Sequence, residues 1–291
     1  ADRLDFVPDV AGTYIAELVV TNEDGISSLP CTATLTVVSD RPVAVCEASP
    51  TSIRPILDTA DWLGHDSFDP IGSDLTHHWT LISKPAGSSA SLPEGDADRL
   101  GFAPDSPGTY VAELVVINEL GDASLPCEAT LEAIPTEDLW VEMVWESPDD
   151  DGAEDDMDLY LLAPGATLAD ADGDSVLDDI IADKICFWGN CRRGLEWGVD
   201  GLTEDNPFLD LDDFKDGPEN IRIDKPQDGV FTVVVYDFNS SAAEYHDLSV
   251  VTVNIYLYGE LAWSGTRDVW GEEEYVEFAT IDTTTDVITP R

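Results

Sequence analysis

Positive charge is scarce in this chain. Its 291 residues carry 13 Lys and Arg against 61 Asp and Glu, a formal charge of −48. A field of that sign repels phosphate backbones and anionic lipid, which excludes ordinary nucleic-acid binding and docking on acidic membranes. It favours cations, or a solvated acidic surface in salty surroundings. Long apolar runs are lacking too, so no segment reads as a membrane-spanning helix. The opening Ala1-Asp2-Arg3 has no apolar stretch of the signal-peptide kind. No segment repeats apolar residues at a sustained helical period. Cysteine is limited to 5 residues, few for a disulfide scaffold, yet their placement suggests oxidised pairs. The expectation is an exported protein whose leader is absent from this chain, extracellular or at a cell surface.

What is present begins with a duplication. Residues 1–38 align without a gap on residues 97–134, with 25 of 38 positions identical. Such self-similarity marks a true internal repeat. Each copy has the grammar of strands: a β-rich run at 14–20, Gly12 before it, and an Asn22-Glu23-Asp24-Gly25 turn after it. Arg41-Pro42-Val43 starts a fresh unit, and 77–81 supplies its middle strand. Short strands punctuated by Pro and Gly predict a β-sandwich.

Residues 41–134 resemble bacterial PKD-type immunoglobulin-like modules. The likeness rests on HHWTLISKPAGSSASL at 77–92 and LGFAPDSPGTYVAELVVINELG at 100–121. It implies an extracellular spacer, stalk or adhesion module without catalysis, in which Tyr14, Trp79 and Tyr110 pack in cores. Within that frame Cys46, in the first strand, and Cys127, late in the module, fit an inter-sheet disulfide. Cys31 is the repeat equivalent of Cys127, and its partner would lie before residue 1. Residues 1–38 are then the back half of a module, cut from a longer chain or completed by strands of a neighbouring subunit.

After a linker at 135–138 the composition shifts. Residues 1–138 hold 24 acids and 5 bases, net −19; residues 139–291 hold 37 acids and 8 bases, net −29. Strands are predicted at 139–145, 157–162, 231–238, 249–258 and 275–281, which makes a second sandwich of jelly-roll type. The expected domains are thus 1–38, 41–134 and 139–291, all-β throughout. Cys186 and Cys191 in CFWGNC either staple a turn or form half of a zinc site; no nearby His or second Cys pair completes four ligands, which favours the disulfide.

Three acidic clusters in this last segment suit Ca2+. In the first, Asp170, Asp172 and Asp174 stand at positions 1, 3 and 5 of a loop resembling that of EF-hands, with the Val176 carbonyl at position 7. Ser175 replaces the usual Gly and Ile181 the usual Glu, so Asp178, Asp179 or Asp183 would complete the shell. The second is Asp155-Asp156-Met157-Asp158, where Asp156 and Asp158 share one face of a strand. Inward carboxylates are costly unless a cation or donors satisfy them. The third is 205–213, with Asp210, Asp212 and Asp213, followed by Gly217-Pro218-Glu219-Asn220-Ile221.

DMDLYLLAP, CFWGNC, WG, DNPFLDLDD and GPENI, in this order, are similar to a β-sandwich domain of secreted and surface proteins of myxobacteria and their relatives, over 139–282. The resemblance implies fold and location more than activity, and a metal role at Asp156, Asp158, Asp210, Asp212 and Asp213.

No H-E-x-x-H, G-x-S-x-G or P-loop occurs. Paired carboxylates could hydrolyse glycosides, but here they crowd together without a substrate-cleft pattern. The four His read as surface or satisfied residues, so a non-enzyme is expected. One class is a structural surface protein, an adhesin stalk or extracellular fibre stiffened by calcium, whose partners are neighbouring copies or modules of the same surface protein. The other is an accessory module binding glycans or proteins through Trp188, Trp197 or Trp263.

Overall fold

A computed structural model of the chain describes residues 5–38, 41–146, 156–168, 183–192, 194–213, 217–238, 248–270 and 275–291. Every regular element among them is a strand, so the all-β expectation holds.

At the N-terminal end β1 (Gly12–Leu18) and β2 (Cys31–Val37) form an antiparallel hairpin, with Tyr14 opposite Leu35 and Leu18 opposite Cys31. Among the described residues no other strand pairs with it. Its side chains are largely exposed, so Tyr14 is not a core residue; its ring meets Phe6 edge-on, at 5.0 Å.

The next stretch folds into two facing sheets. One is ordered β3 (Glu47–Ser49), β5 (Ala60–Leu63), β7 (Arg99–Phe102); the other β4 (Ser52–Ile53), β9 (Cys127–Ala133), β8 (Gly108–Asn118), β6 (Leu75–Ser83). In β8 every second residue is buried: Tyr110, Ala112, Leu114 and Val116. That period of two is the signature of a strand with one face in a core. Trp62 lies 5.7 Å from Phe102, which lies 5.2 Å from Tyr110, and Trp79 packs against the same cluster. Cys46, at the start of β3, is bonded to Cys127, at the start of β9, which ties the two sheets together. The Tyr110 hydroxyl accepts from the Ser106 amide at 3.1 Å and donates to the Ser106 carbonyl at 2.9 Å, a tyrosine corner that pins the approach to β8.

The last stretch is a larger sandwich. One sheet runs β13 (Phe208–Leu209), β14 (Glu219–Ile223), β10 (Leu139–Glu146), β16 (Leu248–Leu257), β17 (Glu260–Trp270). The other runs β12 (Ile185–Cys186), β11 (Met157–Leu162), β15 (Val230–Asp237), β18 (Tyr275–Asp282), β19 (Val287–Pro290). The chain crosses between the sheets from β10 to β11, β12 to β13, β14 to β15, β15 to β16 and β17 to β18, and makes hairpins at β16–β17 and β18–β19. The core between them includes Val141, Met143, Leu159, Leu161, Phe231, Val253 and Phe278. A second, smaller cluster of Tyr160, Leu162, Val234 and Tyr236 lies on the opposite face of β11 and β15. Strand β17 carries Arg267, Asp268, Ser264 and Gly265 and lies at a sheet edge, where polar residues are tolerated on the open side; this is why its sequence lacks a strong strand signal.

Candidate metal centre

Strand β11 is covered unevenly. On one side it pairs with β15 along its whole length; on the other, β12 reaches only Leu161 and Leu162. The first half of β11 therefore has an open edge, and an amide there needs an acceptor. Glu219 supplies it. This residue starts β14 in the facing sheet and points inward with Ile221 and Ile223; its Oε2 accepts from the Leu159 amide at 2.8 Å. The cis Gly217-Pro218 peptide precedes it.

Asp158 lies on the same strand, one residue before Leu159 and opposite Tyr236 of β15. Asp212 comes from the loop after β13. Asp158, Asp212 and Glu219 each place a carboxylate oxygen within 4.8 Å of the others. Asp158 is 3% exposed and Glu219 is fully buried. Their remaining oxygens, Asp158 Oδ2 and Glu219 Oε1, are buried without a hydrogen-bond partner. Burial and neighbouring charge act together on these groups. Burial, then Asp156, Asp212 and Asp237, push Asp158 up to about 8. Burial chiefly drives Glu219 well above the carboxylate range, with Asp158, Asp212 and Asp156 adding to the shift. Asp156 is raised to about 6 by burial and then by Asp212 and Asp213. Burial leads in all three, and the neighbouring carboxylates add to it.

The geometry fits a hard divalent cation. Oxygens bound to one calcium at about 2.3–2.6 Å lie no more than about 5 Å apart, so three oxygens within 4.8 Å of one another can share an ion. The donor set is all oxygen, with no imidazole or thiolate, which suits calcium better than zinc. Among the described residues a base lies at the periphery: Arg192 Nη1 is 3.3 Å from Asp212 Oδ2.

The sequence-derived candidates divide. Asp158 and Asp212 belong to the group; Asp156 lies close enough to act on it electrostatically, and Asp213 acts on Asp156. Asp210 serves elsewhere: its Oδ2 accepts from Arg222 Nε and Asn220 Nδ2, both at 2.9 Å, and its carboxylate is thereby engaged in holding β14. Asp170, Asp172, Asp174, Val176 and Asp178 lie outside the described residues. Glu219 was legible only as part of an acidic neighbourhood. The signal for its role was a carboxylate at an inward position of an otherwise apolar strand.

Cys186 and Cys191 are bonded to each other, which removes the zinc alternative. Trp197 is buried, and its indole donates to the Asp183 carbonyl at 2.9 Å. Trp263 is packed against the core. Of the three proposed platform tryptophans, Trp188 remains open at 46% exposure, edge-on to Phe187 and Phe238. No helix of the described residues is long and apolar enough to cross a membrane.

No protein-family model matches the chain, and no curated protein matches it. Among solved structures, the D00-D0 domain of intimin is similar at a TM-score of 0.28 and 17% identity, over 45% of this chain and 68% of that one. The endo-fucoidan hydrolase MfFcnA4, of glycoside hydrolase family 107, is similar at a TM-score of 0.25 and 15% identity, over 90% of this chain. The match spans 34% of the hydrolase's length. Overlaps this low leave the reading of the chain to its own residues.

Proposed function

We infer that this chain is a non-enzymatic, extracellular segment of a modular surface protein, in which a PKD-type sandwich is followed by a calcium-stabilised sandwich. The observation that carries the reading is the pair of buried, unpartnered oxygens, Asp158 Oδ2 and Glu219 Oε1, beside Asp212. Without a cation such a cluster costs stability; with one, the same carboxylates join β11, β14 and the loop after β13. Asp158, Asp212 and Glu219 would hold the ion, and its role is to neutralise their charge and stiffen the sandwich. Two disulfides support an oxidising compartment. The burial of Asp158 and Glu219, with Asp212 partly open beside them, supports a structural ion over a catalytic pair. The role that follows is a stalk, adhesin or fibre segment held rigid outside the cell.

Isothermal titration of the cation-stripped protein with calcium tests this directly. Saturable binding lost in Asp158→Asn and Glu219→Gln supports it; equal heats in the wild type and both variants overturn it.

Exposed Trp188, flanked by Phe187 and Phe238, favours a second reading in which the same sandwich also binds glycans by stacking. Glycan-array binding lost in Trp188→Ala would select it.

A further inference from the structure

The duplicated sequence has two structural outcomes. Leu114, Val116 and Leu131 are 0% exposed, whereas their repeat equivalents Leu18, Val20 and Leu35 are 62%, 58% and 47% exposed. The polar framework around them is nevertheless the same in both copies. The Ser28 amide donates to the Val20 carbonyl at 2.8 Å, and the Ser124 amide to the Val116 carbonyl at 2.9 Å. Ser28 Oγ accepts from the Val20 amide at 3.1 Å, and Ser124 Oγ from the Val116 amide at 3.0 Å. The corner is repeated as well: Tyr14 Oη accepts from the Val10 amide at 3.1 Å, as Tyr110 Oη does from the Ser106 amide at 3.1 Å. The hairpin therefore has the backbone shape of the complete module without the strands that cover it.

In the complete copy the cover can be named. Strands β3, β5 and β7 form the facing sheet, β6 pairs with β8, and Trp62 of β5 packs in one core cluster with Tyr110 and Leu131. Cys46 joins that sheet to Cys127. The equivalent of Cys127 is Cys31, a free and exposed thiol.

We propose that the open face of the β1–β2 hairpin is an acceptor for a strand segment of the 41–96 type, whose first strand carries a cysteine that forms a disulfide with Cys31 by exchange with a small disulfide oxidant, which is reduced to two thiols as the Cys31 disulfide forms, and whose inward tryptophan covers Leu35. A second copy of this chain does not fit the role, because its own residues 41–96 are already committed to its complete module. A thiol on the rim and a preformed apolar face, both duplicated from a module in which each has a known partner, define the occupant by chemistry.

The test extends the chain at Ala1 with a second copy of residues 41–96, which restores the module because residue 1 aligns with residue 97. Thiol titration then falls from about one per chain to near zero, and a non-reduced digest shows the added cysteine bonded to Cys31. Hydrogen exchange at the Leu18 and Leu35 amides slows by about a hundredfold or more. The same extension on a Cys31→Ser chain keeps the slowed exchange, which separates packing from the crosslink. Continued thiol reactivity and fast hairpin exchange, with residues 41–134 still protected in the same molecule, overturn the proposal. A second measurement needs no extension: in the chain as it stands, hairpin exchange stays fast across about 1–100 μM. Slowing with concentration would make a second copy the cover, and would overturn the assignment of the occupant.

Discussion

The amide of Leu159 and the carboxylate of Glu219 are 2.8 Å apart and belong to opposite sheets of the second sandwich. One oxygen of Glu219 closes the open edge of β11, and the other is left buried beside Asp158. A sheet-to-sheet tie and part of the proposed cation site are therefore built from one side chain.

Calcium raises the thermal midpoint of the second sandwich. At a hundredfold excess over the dissociation constant the gain is about 2.7 kcal/mol, or roughly 5–10 °C for a domain of this size. Asp158→Asn removes the response, while in EDTA the same variant melts above the wild type because a buried, repelled charge is gone. Scanning calorimetry with EDTA and with calcium reads both effects, and a wild-type midpoint that responds equally to sodium at matched ionic strength contradicts the site.

Glu142 of β10 makes stability depend on pH. It is 3% exposed; Asn254 Nδ2 donates to its Oε2 at 3.0 Å, and Ser106 of the first sandwich lies near its other oxygen without reaching hydrogen-bond geometry. Burial raises it from 4.5 to about 7. The folded state then binds the proton more tightly than the unfolded one, so this group's contribution is present below about 4.5 and is lost as pH rises through about 7. Glu142→Gln stabilises the protein by about 1–3 kcal/mol at pH 8 and changes little at pH 4.5. Urea melts of the two proteins at both pH values check the sign.

Tyrosine corners in the two repeats differ in energetic weight. Tyr110→Phe strands the buried Ser106 amide and carbonyl and costs about 1–3 kcal/mol. Tyr14→Phe leaves groups that water can satisfy and costs less than about 0.5 kcal/mol. Denaturant midpoints of the two variants give the comparison.

The cysteines make a separate prediction. A non-reduced digest yields Cys46–Cys127 and Cys186–Cys191, and titration finds one free thiol, Cys31. The first bond closes a loop of 81 residues, so the Cys46→Ala/Cys127→Ala double variant loses about 4–5 kcal/mol in the chain-entropy description.

Much of this protein was legible along the chain. Alternation in 231–238, 249–258 and 275–281, the Pro and Gly punctuation and the repeat at offset 96 led to sandwiches, because alternation and turn chemistry are local properties; the module's resemblance then placed Cys46 opposite Cys127. Edge strands such as β17 were not legible, since an edge tolerates polar residues on its open side. The cation group lay further from view. Asp158, Asp212 and Glu219 are 54 and 7 residues apart in sequence, and only the approach of two sheets decides which carboxylates meet. The same closure turned Asp210 aside toward Arg222, although its sequence neighbourhood matched that of Asp212. Sequence also made the two repeats equal; tertiary structure made them different, because Leu114 and Leu131 are buried by a facing sheet that Leu18 and Leu35 lack.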